Sequence, residues 1–198
     1  MATYTLKITL KDIQPEIERT VQVSSESSLY LLHHIIQEAM GWECSHLYHF
    51  TVEKLTIGDL RLLLSDGYDE MGMNPVDDKN YMLEDIFQQV GQKIDYLYDY
   101  GDDWEHEIEL MAIENDPQYL VLPLLLNGKN ACPPEDCGGT HGYQEIKEIL
   151  KNVQHKEYAA TLGYVGAKFH PEKFDKKSAL KRFSKLNELI IQYERGFL

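Results

Sequence analysis

Between Trp104 and Leu110 the chain alternates without a break, with Trp104, His106, Ile108 and Leu110 in one parity and Glu105, Glu107 and Glu109 in the other. Successive strand residues point to opposite faces of a sheet. This run therefore specifies a half-buried strand with an apolar core face and an acidic solvent face. The N-terminus repeats the pattern. Tyr4, Leu6, Ile8 and Leu10 alternate with Thr5, Lys7 and Thr9, and after a turn at Pro15 the residues Ile17, Arg19, Val21 and Val23 alternate again as a hairpin partner.

Helical periodicity follows. Residues 24–28 supply N-cap candidates, Leu29, Leu32, His33, Ile36 and Met40 recur at helical spacing, and Gly41 stops the run. Residues 47–64 read as one or two strands, 65–80 as a long loop rich in Gly, Asp, Asn and Pro, and 83–90 as a short helix ended by Gly91. Strands over 94–98 and 104–112 flank a turn at 100–103, and the apolar run 119–126 reads as a buried strand. Residues 143–151 and 155–162 read as helices, the second stopped by Gly163. Asp175 N-caps a last helix with the stripe Leu180, Phe183, Leu186, Ile190 and Tyr193. A strand-strand-helix-strand opening packs a helix on one face of an antiparallel or mixed sheet. No repeat or linker divides the chain, so residues 1–198 read as one α+β domain.

Composition sets limits on function. With 43% hydrophobic and 26% charged residues the chain buries a real core. A formal charge of -14 disfavours nucleic acid as a partner. Seven Lys/Arg against two Asp/Glu between Lys168 and Leu186 make that segment locally basic. It reads as the solvated face of a helix, or as a docking site for an acidic protein partner or a second copy. No apolar stretch is long enough to span a membrane and no signal peptide is visible. Three cysteines argue against a disulfide framework and for a reducing cytoplasm.

Two segments carry chemistry. In the first, Asp99, Tyr100, Asp102 and Asp103 surround Gly101, a residue suited to a left-handed bend, just before Trp104 and His106. Carboxylates crowded against an imidazole raise its pKa or hold a divalent metal, with Asp102 and His106 as the ligand candidates. His106 on the core face has an equally direct reading as a hydrogen-bonded core residue. In the second, Cys132-Pro-Pro-Glu135-Asp136-Cys137-Gly-Gly gives two thiols and then His141. That is a weak zinc pattern needing His155 or His170, and otherwise a rigid loop set by two prolines and two glycines. A cysteine nucleophile finds no matching signature. His33 falls inside the helix stripe, and His46 and His49 alternate on opposite faces of a strand start.

Together Ile13-Gln-Pro-Glu-Ile17, Ala39-Met-Gly-Trp42, His46-Leu-Tyr-His-Phe50, Tyr98-Asp-Tyr-Gly-Asp-Asp-Trp-Glu-His106 and Ala131-Cys-Pro-Pro-Glu-Asp-Cys-Gly-Gly139 resemble, in that order, the pRiA-type plasmid Orf-three-like family of mobile-element passenger proteins. The resemblance spans essentially the whole chain. It implies a compact α+β domain and no established activity. Glu18, Tyr48 and Leu125 stand where the family usually has Trp, His and Cys; the first loses an aromatic contact, and the other two remove positions from any metal set built on them. A resolvase label sometimes attached to the family does not carry over to a chain with so few arginines. The leading expectation is a ligand- or partner-binding module whose pocket joins Asp99, Tyr100, Asp102, Trp104 and His106 to Glu135 and Asp136, walled by Tyr96 and Tyr98. The alternatives are a metal-dependent hydrolase of phosphoesters or nucleic acid, with Asp99, Asp102 and His106 holding the ion and Glu135 or Asp136 as base, and a nucleic-acid-associated accessory protein.

Overall fold

A computed structural model describes residues 2–115 and 123–194, with side chains through residue 188. Its strands are β1 (Thr3–Leu10), β2 (Ile17–Ser24), β3 (Tyr48–Val52), β4 (Leu55–Gly58), β5 (Val76–Asp77), β6 (Lys93–Tyr98), β7 (Trp104–Glu114) and β8 (Leu124–Lys129). Its helices are α1 (Leu29–Met40), α2 (Leu60–Ser65), α3 (Leu83–Ile86), α4 (Gly139–Lys151), α5 (Tyr158–Val165) and α6 (Lys176–Glu194). The strands form one sheet in the order β5-β4-β3-β6-β7-β1-β2-β8, antiparallel except for the β4–β5 pair. The fold is α+β.

The alternating runs become strands where the sequence places them. Leu10 pairs with Ile17 and Thr3 with Ser24 across the first hairpin. Leu10 also faces His106, and Ile8 faces Ile108, so β7 lies against β1 with its apolar parity inward. Trp104, His106, Ile108 and Leu110 are all fully buried. Their opposite parity carries ion pairs on the wet face, Lys7–Glu109 at 3.1 Å and Lys93–Glu107 at 2.7 Å. Exposed pairs of this kind each contribute about 0–1 kcal/mol, so the buried face carries the stability. Helix α1 covers that face with Leu32, Ile35 and Ile36, all fully buried. Ser28 caps it by accepting the Leu31 N–H, and Gly41 in the left-handed region ends it.

Arg19 keeps its inward parity and is buried without a carboxylate partner among the described residues. Its guanidinium donates instead to the carbonyls of Ala39, Glu18 and Lys129 at 2.7–2.9 Å and lies 4.3 Å over the Phe174 ring. One side chain thereby ties α1, β2 and β8 together. The planar fork of arginine suits this task, and a lysine ammonium could not reach all three acceptors.

Several expected elements differ. Residues 60–65 are helix α2 rather than strand, because Asp59 caps the N–H groups of Arg61 and Leu62. A Cβ at Gly58 would sit 2.8 Å from the Tyr48 carbonyl oxygen. The expected loop 65–80 contains β5 and a 3-10 turn at Asp78–Asn80. The helix expected over 83–90 stops at Ile86. Helix α4 starts at Gly139, and α5 passes through Gly163 to end before Gly166. Part of the expected strand at 119–126 lies outside the described residues, and β8 begins at Leu124. Asp175 does cap α6, accepting the Ser178 N–H. Its buried stripe is Ala179, Phe183 and Leu186, whereas Leu180 is exposed. The side chains of Ile190 and Tyr193 lie outside the described residues.

Replacing Trp104 with alanine is expected to cost about 3–5 kcal/mol, the range for emptying an aromatic core site. Urea unfolding measures it, and a change below 1 kcal/mol would show that Trp104 is not core.

Candidate functional site

Strands β6 and β7 close at the Tyr98–Trp104 pair, leaving residues 99–103 as the turn. The left-handed residues there are Asp99 and Asp103, at φ 61° and 53°, not Gly101 as its composition suggested. Aspartate tolerates this region because its side chain substitutes for a backbone acceptor. Asp99 Oδ1 accepts the N–H groups of Gly101 at 2.9 Å and Asp102 at 3.3 Å, and Asp103 donates its N–H to the Asp99 carbonyl at 2.7 Å. The turn is thus fixed from within, with Asp99 Oδ2 left to face outward.

The 132–139 loop is held against this turn. The Gly138 N–H donates to Asp102 Oδ2 at 3.2 Å, and a Cβ at Gly139 would lie 2.6 Å from the Asp102 carbonyl oxygen. Both glycines are left-handed, at φ 87° and 66°. Glycine is needed here for conformation and for clearance. Trp42 Nε1 donates to the Pro133 carbonyl at 3.0 Å, and Tyr98 Oη donates to Glu135 Oε1 at 2.6 Å. The Glu43 N–H donates to the same Glu135 oxygen at 3.0 Å.

These bonds place His46 between the two segments. Its Nε2 lies 3.3 Å from Asp136 Oδ1 and 3.7 Å from Asp99 Oδ2. That nitrogen is buried and has no hydrogen-bond partner among the described residues. The three ligand atoms lie within 4.8 Å of one another. Asp99 is buried at the floor of the site, and the Asp136 side chain, 75% exposed, forms its rim.

The expected pocket is therefore only partly assembled. Asp99, Asp102, Glu135 and Asp136 come together. Tyr100 does not join them, because the left-handed Asp99 turns the chain and sends it to the opposite sheet face. There its hydroxyl meets His49 Nδ1 at 2.8 Å and its ring stacks on Tyr68. Trp104 lies beneath the site as core. His106 is fully buried and does not pair with Asp102 as a metal ligand. Its Nδ1 lies 3.3 Å from the Tyr96 carbonyl, which makes Nδ1 the protonated nitrogen, and its ring packs edge-on to Trp42. Burial pushes its pKa down to about 3. Tyr96 and Tyr98 lie behind the site, with only the Tyr98 hydroxyl reaching the loop.

The thiols do not assemble a zinc site with His141, His155 or His170. Among the described residues the clusters able to hold an ion are His46–Asp99–Asp136 and His33–His34–Cys44. Burial pushes Cys132 and Cys137 up to about 12, and Cys44, an exposed residue whose thiol is turned in against His33, is pushed up to about 11, which leaves each a poor nucleophile at neutral pH. In the basic segment, Arg182 donates to the Glu38 carbonyl and Lys176 to the Leu126 carbonyl. Lys177, Lys181 and Lys185 are left as its solvent face.

His46 is the member that sequence reasoning missed. It lies before β3 begins, so strand parity says nothing about its direction. Only the loop clamp brings Asp136 to it.

The family model described as plasmid pRiA4b ORF-3-like protein matches residues 2–178. An uncharacterized protein, y4hQ, of Sinorhizobium fredii (strain NBRC 101917 / NGR234) is 37% identical over 190 residues, covering 93% of this chain and 89% of that protein. The crystal structure of MM3350, a protein of unknown function from Methanosarcina mazei Go1, superposes with a TM-score of 0.75 at 34% identity, covering 89% of this chain and 96% of that one. Neither relative carries an assigned activity in its description.

The buried imidazole makes a separate prediction. The folded pKa of His106 lies below its unfolded value of 6.5, so its contribution to stability is full above pH 6.5 and is lost as pH falls toward 3. Unfolding free energy in that window should drop by about 1.4 kcal/mol per pH unit from this group. A His106→Leu variant should lose that share of the slope. An unchanged slope, measured by denaturation at several pH values, would contradict the assignment.

Proposed function

We propose that this chain, which belongs to the plasmid pRiA4b ORF-3-like protein family, is a binding module that takes a divalent cation between His46, Asp99 and Asp136. The observation that carries the reading is His46 Nε2, buried, without a hydrogen bond, and facing two carboxylate oxygens at 3.3 and 3.7 Å. Bonds of about 2.0–2.2 Å from nitrogen and oxygen to an ion allow ligand atoms to stand up to about 4.4 Å apart, close to the observed spacing. Two carboxylates with one imidazole suit manganese, iron or zinc better than calcium, which prefers an all-oxygen shell. The exposed rim at Asp136 leaves the remaining coordination positions to water or to a ligand.

Asp136 also lines an open groove of about 510 Å³ with Cys137, Glu145, Ile146, Glu157 and Tyr164. A ligand bound to the ion has room to lie there. The geometry favours binding over hydrolysis. Of the two residues expected as a base, Glu135 is held by the hydrogen bonds its Oε1 accepts from Tyr98 and Glu43, and Asp136 is itself a ligand in this reading. We place the module in the cytoplasm, since Cys44, Cys132 and Cys137 are all free thiols and suit a reducing compartment. No helix among the described residues is long and apolar enough to cross a membrane. The family's mobile-element setting is carried over as part of the same proposal.

The same three groups make a plain ion pair when His46 is protonated, and titration separates the two cases. Calorimetry with manganese should show one ion per chain, weakened at least about tenfold by Asp136→Asn with the thermal midpoint unchanged. Affinity should fall as the solution is made more acidic, because the ion and the proton compete for Nε2. Absence of binding at millimolar manganese would leave only the ion pair.

A further inference from the structure

A second cluster lies between the middle of α1 and the segment that follows the helix, and it shares no residue with the first. His33 and His34 are adjacent, so on a helix they diverge by about 100°. His33 is buried and His34 half-buried. They converge on one point only because the chain reverses after the helix. Gly41 and Trp42 both donate their N–H groups to the Gln37 carbonyl, and the returning segment lays Cys44 over the two rings. Cys44 Sγ stands 3.1 Å from His33 Nε2 and 3.5 Å from His34 Nδ1.

We propose that His33, His34 and Cys44 form a binding site for a thiophilic borderline metal ion, zinc(II), through Nε2, Nδ1 and Sγ. Zinc bonds of about 2.3 Å to sulfur and 2.0–2.1 Å to nitrogen, at a tetrahedral angle, separate the two donors by about 3.5 Å. The Cys44–His34 distance already has that value, and the Cys44–His33 distance needs to open slightly.

The supports of the ligands favour this reading over a simple thiol–imidazole hydrogen bond. Cys44 has φ 61°, a left-handed conformation that glycine or asparagine adopts at least cost, so a cysteine gains nothing there as backbone. What holds it is the Gln37 side chain, whose Oε1 accepts the Cys44 N–H at 3.1 Å while its Nε2 donates to Tyr96 Oη at 3.1 Å. The same Tyr96 hydroxyl lies 2.8 Å from His33 Nδ1, and the His33 ring is stacked on Tyr48 at 3.4 Å between centroids. Both ligands are thus oriented by one buried network, the arrangement that fixes ring direction at metal sites. Metal at Nε2 requires the His33 proton on Nδ1, where Tyr96 Oη accepts it. Binding converts the Cys44 thiol to thiolate and releases one proton to solvent. Cys44 is exposed, so the fourth position opens to water. An ion with three protein ligands and an open position can also engage a ligand from outside.

Cobalt(II) is the probe, because a cobalt–thiolate bond gives a near-ultraviolet charge-transfer band that oxygen and nitrogen ligands do not. The full-length chain should develop this band to the intensity of one thiolate-bound cobalt per chain, and zinc should bleach it. Cys44→Ser should abolish the band, and His34→Ala should weaken cobalt binding at least about tenfold. Asp136→Asn and Cys137→Ser should leave it intact, which separates this site from the His46 site. Absence of the band in the wild-type chain would overturn the proposal, as would its persistence in Cys44→Ser.

Discussion

Trp42 is the contact on which the candidate site depends. Its ring lies 5.0 Å from Tyr98 and 6.0 Å from Trp104, nearly parallel to both, and meets His106 edge-on at 5.4 Å. Its indole N–H reaches out of this stack to the Pro133 carbonyl. Each aromatic pair adds about 0.5–1.5 kcal/mol beyond the area it buries, and together they join the exit of α1, the closed end of the β6–β7 hairpin and the 132–139 loop. With the loop fixed there, Tyr98 can donate to Glu135 and Gly138 to Asp102. Those two bonds leave the next carboxylate along the loop, Asp136, pointing at His46. The polar site is thus a consequence of an aromatic one.

The segment from Glu43 to His46 links both candidate ion sites. It is pinned to its surroundings by backbone N–H groups: Glu43 to Glu135, Cys44 to Gln37 and Ser45 to Tyr98. Cys44 is thereby directed back toward α1 and His46 forward toward the loop. The donor sets differ in hardness, with two nitrogens and a sulfur on one side and one nitrogen and two oxygens on the other. The sulfur of Cys44 therefore biases its site toward softer ions such as zinc, and the carboxylates bias the other toward harder ions such as manganese. An acidic body of formal charge -14 raises the local concentration of any cation near both.

The sheet was legible because parity is a local property. Residues 104–110 and 4–10 state their own periodicity, and the paired strands face one another inward as that periodicity requires. The site was legible only in part. That the 99–103 turn meets the 132–139 loop could be inferred from the acidic and glycine residues both concentrate, and the carboxylates Asp99, Asp102, Glu135 and Asp136 do gather there. Which imidazole completes the group could not. His106 looked close in sequence, but strand parity aims it into the core. His46 precedes its strand and is placed by bonds to segments far along the chain. Tyr100 was misplaced for a similar reason, since a left-handed residue at Asp99 reverses parity and aspartate gives no strong local sign of adopting it. The basic C-terminal helix was visible as charge, yet Arg182 and Lys176 turned out to serve carbonyls of the protein itself.

Whether His46, Asp99 and Asp136 hold a divalent ion can be read from anomalous diffraction of crystals equilibrated with manganese. An anomalous peak is expected, bonded to His46 Nε2 and to a carboxylate oxygen of both Asp99 and Asp136. Crystals that carry manganese only elsewhere, with none between His46, Asp99 and Asp136, would contradict this site.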